Sequence, residues 1–290
     1  MSNLKITIIQ SNLHWENIDA NLRMFSEKIS AIKERTDIIV LPEMFSTGFS
    51  MNNKRLAETM PARLNDPGRL DGKGKAVKWM QKMAKEKNCV ITGSLIIEEK
   101  KKYYNRLVWM MPPDSYRDGK YKTYDKRHLF RYAGEEKYYS AGKKKLVVEL
   151  NGWKICPLVC YDLRFPIWSR NRLTPSPSPR GEGSRKNSYD VLLFVANWPE
   201  RRNHPWKTLL MARAMENQAY VVGVNRVGND GNNVSHSGDS AVINFKGEII
   251  SKTKAHEESV ETITLSKNEL NDWRKTFPAW MDADKFKLIG

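Results

Sequence analysis

The chain has 290 residues, 40% of them hydrophobic and 10% aromatic, enough for one large α/β unit or two small domains around a packed core. No run of apolar residues is long enough to form a membrane-spanning helix. The 49 basic against 33 acidic residues leave a formal charge of +16, but the surplus is scattered in short clusters such as Lys100-Lys101-Lys102 and Lys143-Lys144-Lys145. No finger, basic zipper or RNP-like aromatic motif accompanies them, so the reading is a basic soluble surface with no nucleic-acid partner.

Strand and helix signals alternate over the first 110 residues. Leu4 to Ile9 reads as a buried strand, and Leu22, Phe25, Ile29 and Ile32 recur on one face of a helix. Asp37 to Leu41 is a second strand ending at Pro42-Glu43. Val77, Met80 and Ala84 mark a second helix, and Cys89 to Ile97 a third strand. This β-α-β-α-β order predicts a sheet covered by helices. Tyr104 to Met111 reads as a strand leading to a turn at Asp118-Gly119. Val147 to Leu150 and Trp153 to Val159 flank Asn151-Gly152 in the same way. Hairpins imply antiparallel pairing, so the sheets should be mixed. A strand at Val191 to Ala196, a helix over Pro205 to Gln218, a strand at Tyr220 to Val224 and a hairpin around Lys246-Gly247 follow. Trp273, Phe277 and Trp280 make an aromatic end that should pack on the domain or on a second subunit.

Leu173 to Lys186 breaks this rhythm with Pro-Ser alternation and then glycines, and predicts an exposed loop. An insertion tolerated by the fold is favoured over a docking peptide. The N-terminus enters a strand directly and shows no secretory signal. Three cysteines, Cys89, Cys156 and Cys160, are too few for a disulfide framework and fit a reducing cytoplasm.

Three positions offer chemistry. Cys160 closes an apolar strand and precedes Tyr161-Asp162-Leu163-Arg164-Phe165-Pro166, which places a thiol at the carboxyl edge of a sheet. There a helix N-terminus and nearby cations would favour the thiolate. Cys156 and Cys89 read as small core residues. Glu43 ends a strand among apolar neighbours, where desolvation suits a general base. Lys126 lies in Tyr124-Asp125-Lys126-Arg127-His128, either on a solvated face or as a fixed cation for a thiolate or oxyanion. The histidines at 14, 128, 204, 236 and 256 are dispersed without metal-ligand spacing, so no metal or other cofactor is expected. A papain-like pair of Cys160 with His204 or His236 has no local signature.

Taken together, Leu41-Pro42-Glu43-Met44-Phe45, Tyr124 to Phe130 and Cys160 to Pro166 resemble the ordered Glu-Lys-Cys motifs of the nitrilase (carbon–nitrogen hydrolase) superfamily. Val195 to Pro199, Ala212 to Gln218 and Gly223 to Gly228 extend the likeness over Leu4 to about Leu265. Glu43 to Phe49 and Ala196-Asn197-Trp198-Pro199 resemble the omega-amidase branch. The resemblance implies an α/β fold, a four-layer αββα sandwich of the nitrilase type with mixed sheets, in a homodimer packed through helices beside the active site. It implies a hydrolase domain over 1–265, with the inserted loop at about 173–186, and a C-terminal extension over 266–290.

The implied activity is hydrolysis of the terminal amide of short 2-oxo acid amides, 2-oxoglutaramate and 2-oxosuccinamate, to the 2-oxo acid and ammonia. Cys160 would be the nucleophile, Glu43 the general base and Lys126 the oxyanion cation, helped by the Tyr161 backbone amide. Glu135, with Glu136 adjacent, would orient substrate and lysine. Arg164 would hold the carboxylate of the amide substrate, a grip that a planar guanidinium can make bidentate. Trp198 would join Tyr161 and Arg164 in binding substrate. The competing readings are another amidase or carbamoylase of the superfamily, and a catalytically idle scaffold.

Overall fold

A computed structural model of the chain describes residues 3–60, 74–113, 120–173 and 188–284. The Asp118-Gly119 turn, all but the first residue of the Leu173–Lys186 loop, and the last six residues lie outside the described residues.

Two mixed sheets form the centre. The first contains β1 (Leu4–Gln10), β2 (Ile38–Val40), β3 (Glu58–Thr59), β4 (Val90–Glu99), β5 (Lys102–Met110), β6 (Tyr121–Asp125) and β14 (Ser259–Leu265), in the order β14-β1-β2-β4-β5-β6 with β3 on β4. β1, β2 and β4 are parallel, whereas β14, β5 and β6 join antiparallel to their neighbours. The second contains β7 (Val148–Leu150), β8 (Trp153–Val159), β9 (Val191–Val195), β10 (Tyr220–Val224) and β13 (Ala241–Ile243), in the order β13-β10-β9-β8-β7, parallel across β8, β9 and β10. A separate two-stranded arm pairs β11 (Val227–Asn229) with β12 (Ser235–Ser237).

Alternation along the first sheet's strands decides the layering. Ile6, Ile8, Ile38, Val40, Leu107 and Trp109 share one buried cluster with Ile155, Leu158, Phe194 and Val222 of the second sheet. The opposite-facing Ile9, Ile39, Ile91, Val108 and Met110 meet α1 (Ile18–Ser30) and α3 (Lys75–Lys87) through Leu22, Phe25, Ile29, Val77, Met80 and Ala84. On the far side of the second sheet lies α5 (Asn203–Asn217), burying Trp206, Leu210 and Ala214 at helical spacing. This is the expected αββα order. Both faces of the first sheet are covered, so its strands read as nearly unbroken apolar runs rather than alternating ones.

The expected boundaries shift by a residue or two for identifiable reasons. Asn88, in the left-handed region at φ +49°, ends α3, and the Cys89 amide bonds back to Ala84, so the strand begins at Val90. α5 starts at Asn203, with Pro205 in its first turn, where its missing N–H costs nothing. Asn151 and Gly152, at φ +50° and +79°, make the tight turn between β7 and β8 that their sequence predicts. The Lys246-Gly247 hairpin is reduced to a single bridge, Ile243 to Ile249. α6 (Lys267–Thr276) lies back on the same subunit: Trp273 packs on Phe245, and Lys267 and Arg274 both pair with Asp190.

Glu58 caps α3 from outside the helix. Its carboxylate accepts from the Ala76 amide at 2.9 and 3.0 Å and from Val77 at 3.3 Å. Burial pushes its pKa up from 4.5 to about 6 despite these bonds. A raised folded-state pKa means that ionisation opposes folding: the stabilisation is complete below about pH 4.5 and is lost as pH rises through about 6, by about 2 kcal/mol. Glu58→Gln should remove that loss. Thermal melts between pH 4 and 7 should show the variant's melting temperature gaining on the wild type across this window.

Candidate active site

The first sheet supplies two of the three expected groups at strand ends. The chain leaves β2 through Leu41-Pro42, and Met44, at φ +42°, turns the backbone so that Glu43 lies inside. Ser94 of β4 fixes that turn, its Oγ accepting from the Met44 amide at 2.8 Å. Lys126 follows β6 directly. Its amide bonds to Asn105 O at 3.0 Å and its carbonyl accepts from Gly142 N at 2.9 Å. Position 142 tolerates only glycine, because a Cβ there would stand 2.1 Å from the Asp125 carbonyl oxygen.

The second sheet supplies the thiol. Cys160 follows β8 at φ +45°, in the left-handed region that non-glycine residues avoid, and opens the single 3-10 turn Cys160–Arg164. Asp162 holds this turn. Its carboxylate accepts from Val159 N at 3.1 Å, Tyr124 Oη at 2.7 Å and His128 N at 3.0 Å, and contacts His128 Nδ1 at 2.8 Å. Tyr124 and His128 flank Lys126, so one buried carboxylate couples the lysine's segment to that of the cysteine. From behind, Arg213 of α5 donates twice to Leu163 O, at 3.1 and 2.8 Å.

Glu43, Lys126, Glu135 and Cys160 converge. Lys126 Nζ lies 2.9 Å from Glu43 Oε1 and 2.9 Å from Glu135 Oε2, with all three side chains fully buried. Asn105 Nδ2 donates to both carboxylates, at 2.7 and 3.2 Å. The Asn197 amide donates to Glu43 Oε2 at 2.8 Å and the Phe130 amide to Glu135 Oε2 at 2.6 Å. Of the two adjacent glutamates, Glu135 is the one on the lysine. Cys160 lines the same cavity as Glu43 and Lys126, close enough for their charges to act on its thiol. Phe49 presents its ring 5.1 Å from the ammonium.

Burial would push the Lys126 pKa down, but Glu135 and Glu43 raise it, so it stays an ammonium. Burial, together with the Glu43 charge, raises that of Glu135, although Lys126 opposes both. Cys160 departs from expectation. No helix dipole makes a standing thiolate: burial, then the Glu43 charge, push its pKa well above the usual thiol range, with Lys126 opposing. The resting group is a protonated thiol, and a nearby base would favour its ionisation.

Glu43, Lys126 and Cys160 floor a cavity of about 540 Å3, which Phe49, Phe130, Tyr161, Arg164 and Trp198 also line. Tyr161 packs on Phe130 and Phe165, and Arg164 stacks on Trp198 with its guanidinium carbon 5.3 Å from the ring centre. His236 lines the same cavity, but burial lowers its pKa to about 4, so it is neutral near pH 7; His204 is exposed. Among the described residues no His, Cys, Asp and Glu side chains cluster in a way that could hold a metal ion.

A sequence model of the carbon-nitrogen hydrolase family matches residues 5–173 and 185–275, omitting most of the Pro/Ser/Gly segment. The chain belongs to the carbon–nitrogen hydrolase family. It is 44% identical to omega-amidase YafV of Escherichia coli strain K12, over 99% of this chain and all of that one. It is 29% identical to the 2-oxoglutaramate amidase of Bacillus subtilis, over 97% of each. XC1258 of Xanthomonas campestris, a CN-hydrolase superfamily protein solved with an arsenic adduct in its active site, superposes with a TM-score of 0.86 at 38% identity, covering 99% of this chain and all of that one. The family and these relatives make the chain an amidohydrolase of the mixed α/β nitrilase type.

The amidohydrolase site also contains groups that sequence reading missed. Asn105 sits mid-strand in β5, where nothing in the local pattern separates it from a solvent-facing residue; only pairing with β4 and β6 turns it inward. Asp162 could have been found as an acid directly beside the nucleophile motif. Asp162→Ala leaves its partners without an acceptor, each costing about 1–3 kcal/mol. The expected outcome is a melting temperature lower by roughly 5–10 °C and a kcat lowered at least tenfold, read by thermal unfolding and ammonia assay together. Gly142→Ala should lower kcat similarly while leaving His128 and Asp162 untouched.

Proposed function

We propose that this amidohydrolase is an omega-amidase, converting 2-oxoglutaramate and 2-oxosuccinamate to the 2-oxo acid and ammonia through a thioester on Cys160. The observation that carries the mechanism is that the Cys160 thiol and Glu43 line one cavity beside an ammonium held between Glu43 and Glu135. The names of the full-length relatives support the substrate class.

Glu43 takes the thiol proton as sulfur attacks the terminal amide carbon. Charge moves from carboxylate to sulfur without changing the net charge of the pocket, which limits the cost of creating a thiolate in a dry site. The carbonyl oxygen becomes an oxyanion facing Lys126 and the Tyr161 backbone amide. Collapse breaks the carbon–nitrogen bond as Glu43 returns the proton, and ammonia leaves. Water, deprotonated by Glu43, then attacks the thioester; the acid departs and sulfur regains its proton. Glu135 orients Lys126 throughout, and Arg164 receives the remote carboxylate, with Tyr161 and Trp198 as the walls between.

We read residues 1–265 as the hydrolase domain and 266–290 as its extension. The enzyme is further proposed to be a cytoplasmic homodimer: its three cysteines are free thiols, and Ile167 and Met215, on helices flanking the site, are exposed. In an ammonia assay over a panel of short ω-amides, the two 2-oxo acid amides should turn over fastest. Cys160→Ala should lose all measurable turnover with an unchanged circular dichroism spectrum, and thiol alkylation of the wild type should do the same. A Cys160→Ala protein working at full rate would refute the mechanism. Preferred turnover of carbamoyl compounds would overturn the substrate reading alone.

A further inference from the structure

Two arginines meet at the mouth of the cavity, and one tryptophan sets both. Trp198 is pinned by Asn225, which accepts from its amide at 2.7 Å and donates to its carbonyl at 3.0 Å. Its ring carries the Arg164 guanidinium. Its indole N–H donates to the Arg202 carbonyl at 2.7 Å, fixing the short turn Glu200–Arg202. The Arg202 guanidinium then lies over the Phe130 ring, 5.0 Å from its centre. Trp198, Arg164, Arg202 and Phe130 all line the cavity that holds Cys160.

Neither guanidinium has a carboxylate partner among the described residues, unlike Arg106, Arg213 and Arg274, each of which is paired with an acid. The nearby acids are engaged elsewhere. Glu16 pairs with Arg55, Asp230 accepts from the Asn232 and Val234 amides, and Glu200 lies against Ser235 and His256. Arg202 also sits close enough to Arg164, Arg201 and Cys160 for their charges to interact. Clustered, unneutralised cations are unfavourable in the free protein, and an anion seated among them relieves the repulsion. Stacking on a ring engages a guanidinium's face and leaves its in-plane N–H groups free to bind an anion.

We propose that Arg202 is a specificity-determining residue which, with Arg164, clamps the substrate carboxylate remote from the scissile amide. The clamp selects short amides that end in an acid over neutral amides. This rests on the omega-amidase reading and adds a second cation to it. Lys126 is committed to the reacting carbonyl at the floor, so the two ends of an ω-amide acid meet different cations.

The test compares 2-oxosuccinamate with neutral butyramide in wild type, Arg202→Met and Arg202→Lys. Arg202→Met should raise KM for the acid roughly 10- to 100-fold, the worth of a charge-assisted hydrogen bond, with kcat little changed. Butyramide turnover should stay within twofold, and Arg202→Lys should recover part of the loss. In parallel, calorimetry on Cys160→Ala should show 2-oxoglutarate binding weakened by Arg202→Met to the same degree. Equal losses on both amides, or an unchanged KM and Kd, would overturn the clamp and leave the omega-amidase reading intact. Arg202-dependent binding of 2-oxoglutarate in a protein that turns over no ω-amide acid would instead uphold the clamp and refute that reading.

Discussion

The site depends on an ammonium buried between two carboxylates. Removing Lys126, Glu43 and Glu135 from water carries a desolvation cost of several kcal/mol per ion, and the cluster persists because each charge has a partner within about 3 Å. Neutral donors complete it. Asn105 spans the carboxylates, and the Asn197 and Phe130 amides each take one remaining acceptor. With these contacts made, Glu43 has one oxygen fixed on lysine and Asn105 and the other on the Asn197 amide. Such preorganisation means that little has to move when charge develops on the substrate.

Strand direction explains why the cluster can be assembled. β6 runs parallel to β2 and β4, being separated from β4 by one antiparallel strand, so Glu43 and Lys126 emerge at the same edge of the first sheet. β8 and β9 are parallel neighbours in the second sheet, and Cys160 and Asn197 leave them at one edge. The shared core between the sheets brings the two edges together. Functional groups at the carboxyl ends of parallel strands are the general rule for α/β sheets; here two such edges face one cavity. Asp162 and Arg213 then take up the strain of the left-handed Cys160 by pinning the residues on either side.

The thiol illustrates how environment overrides motif. A cysteine before a helix suggests a low pKa, yet the following turn is a single 3-10 turn and the sulfur is enclosed beside a carboxylate. In the proposed mechanism, proton transfer therefore accompanies attack instead of starting from a stored thiolate. Its position beneath the cavity has a further consequence, because a protonated thiol is less prone to oxidation than an exposed thiolate.

The sequence alone determined which elements exist and which residues bear reactive groups. Apolar spacing marked α1, α3 and the buried strands, Asn151-Gly152 marked its hairpin, and three ordered motifs marked Glu43, Lys126 and Cys160, because each of these signals is local in the chain. The tertiary structure decided the protonation state of Cys160, the choice of Glu135 over Glu136, and the inward turn of Asn105, Asp162 and Arg202. Those properties depend on which charges and how much water surround a side chain, and the neighbours that settle them come from strands and turns tens to more than a hundred residues away.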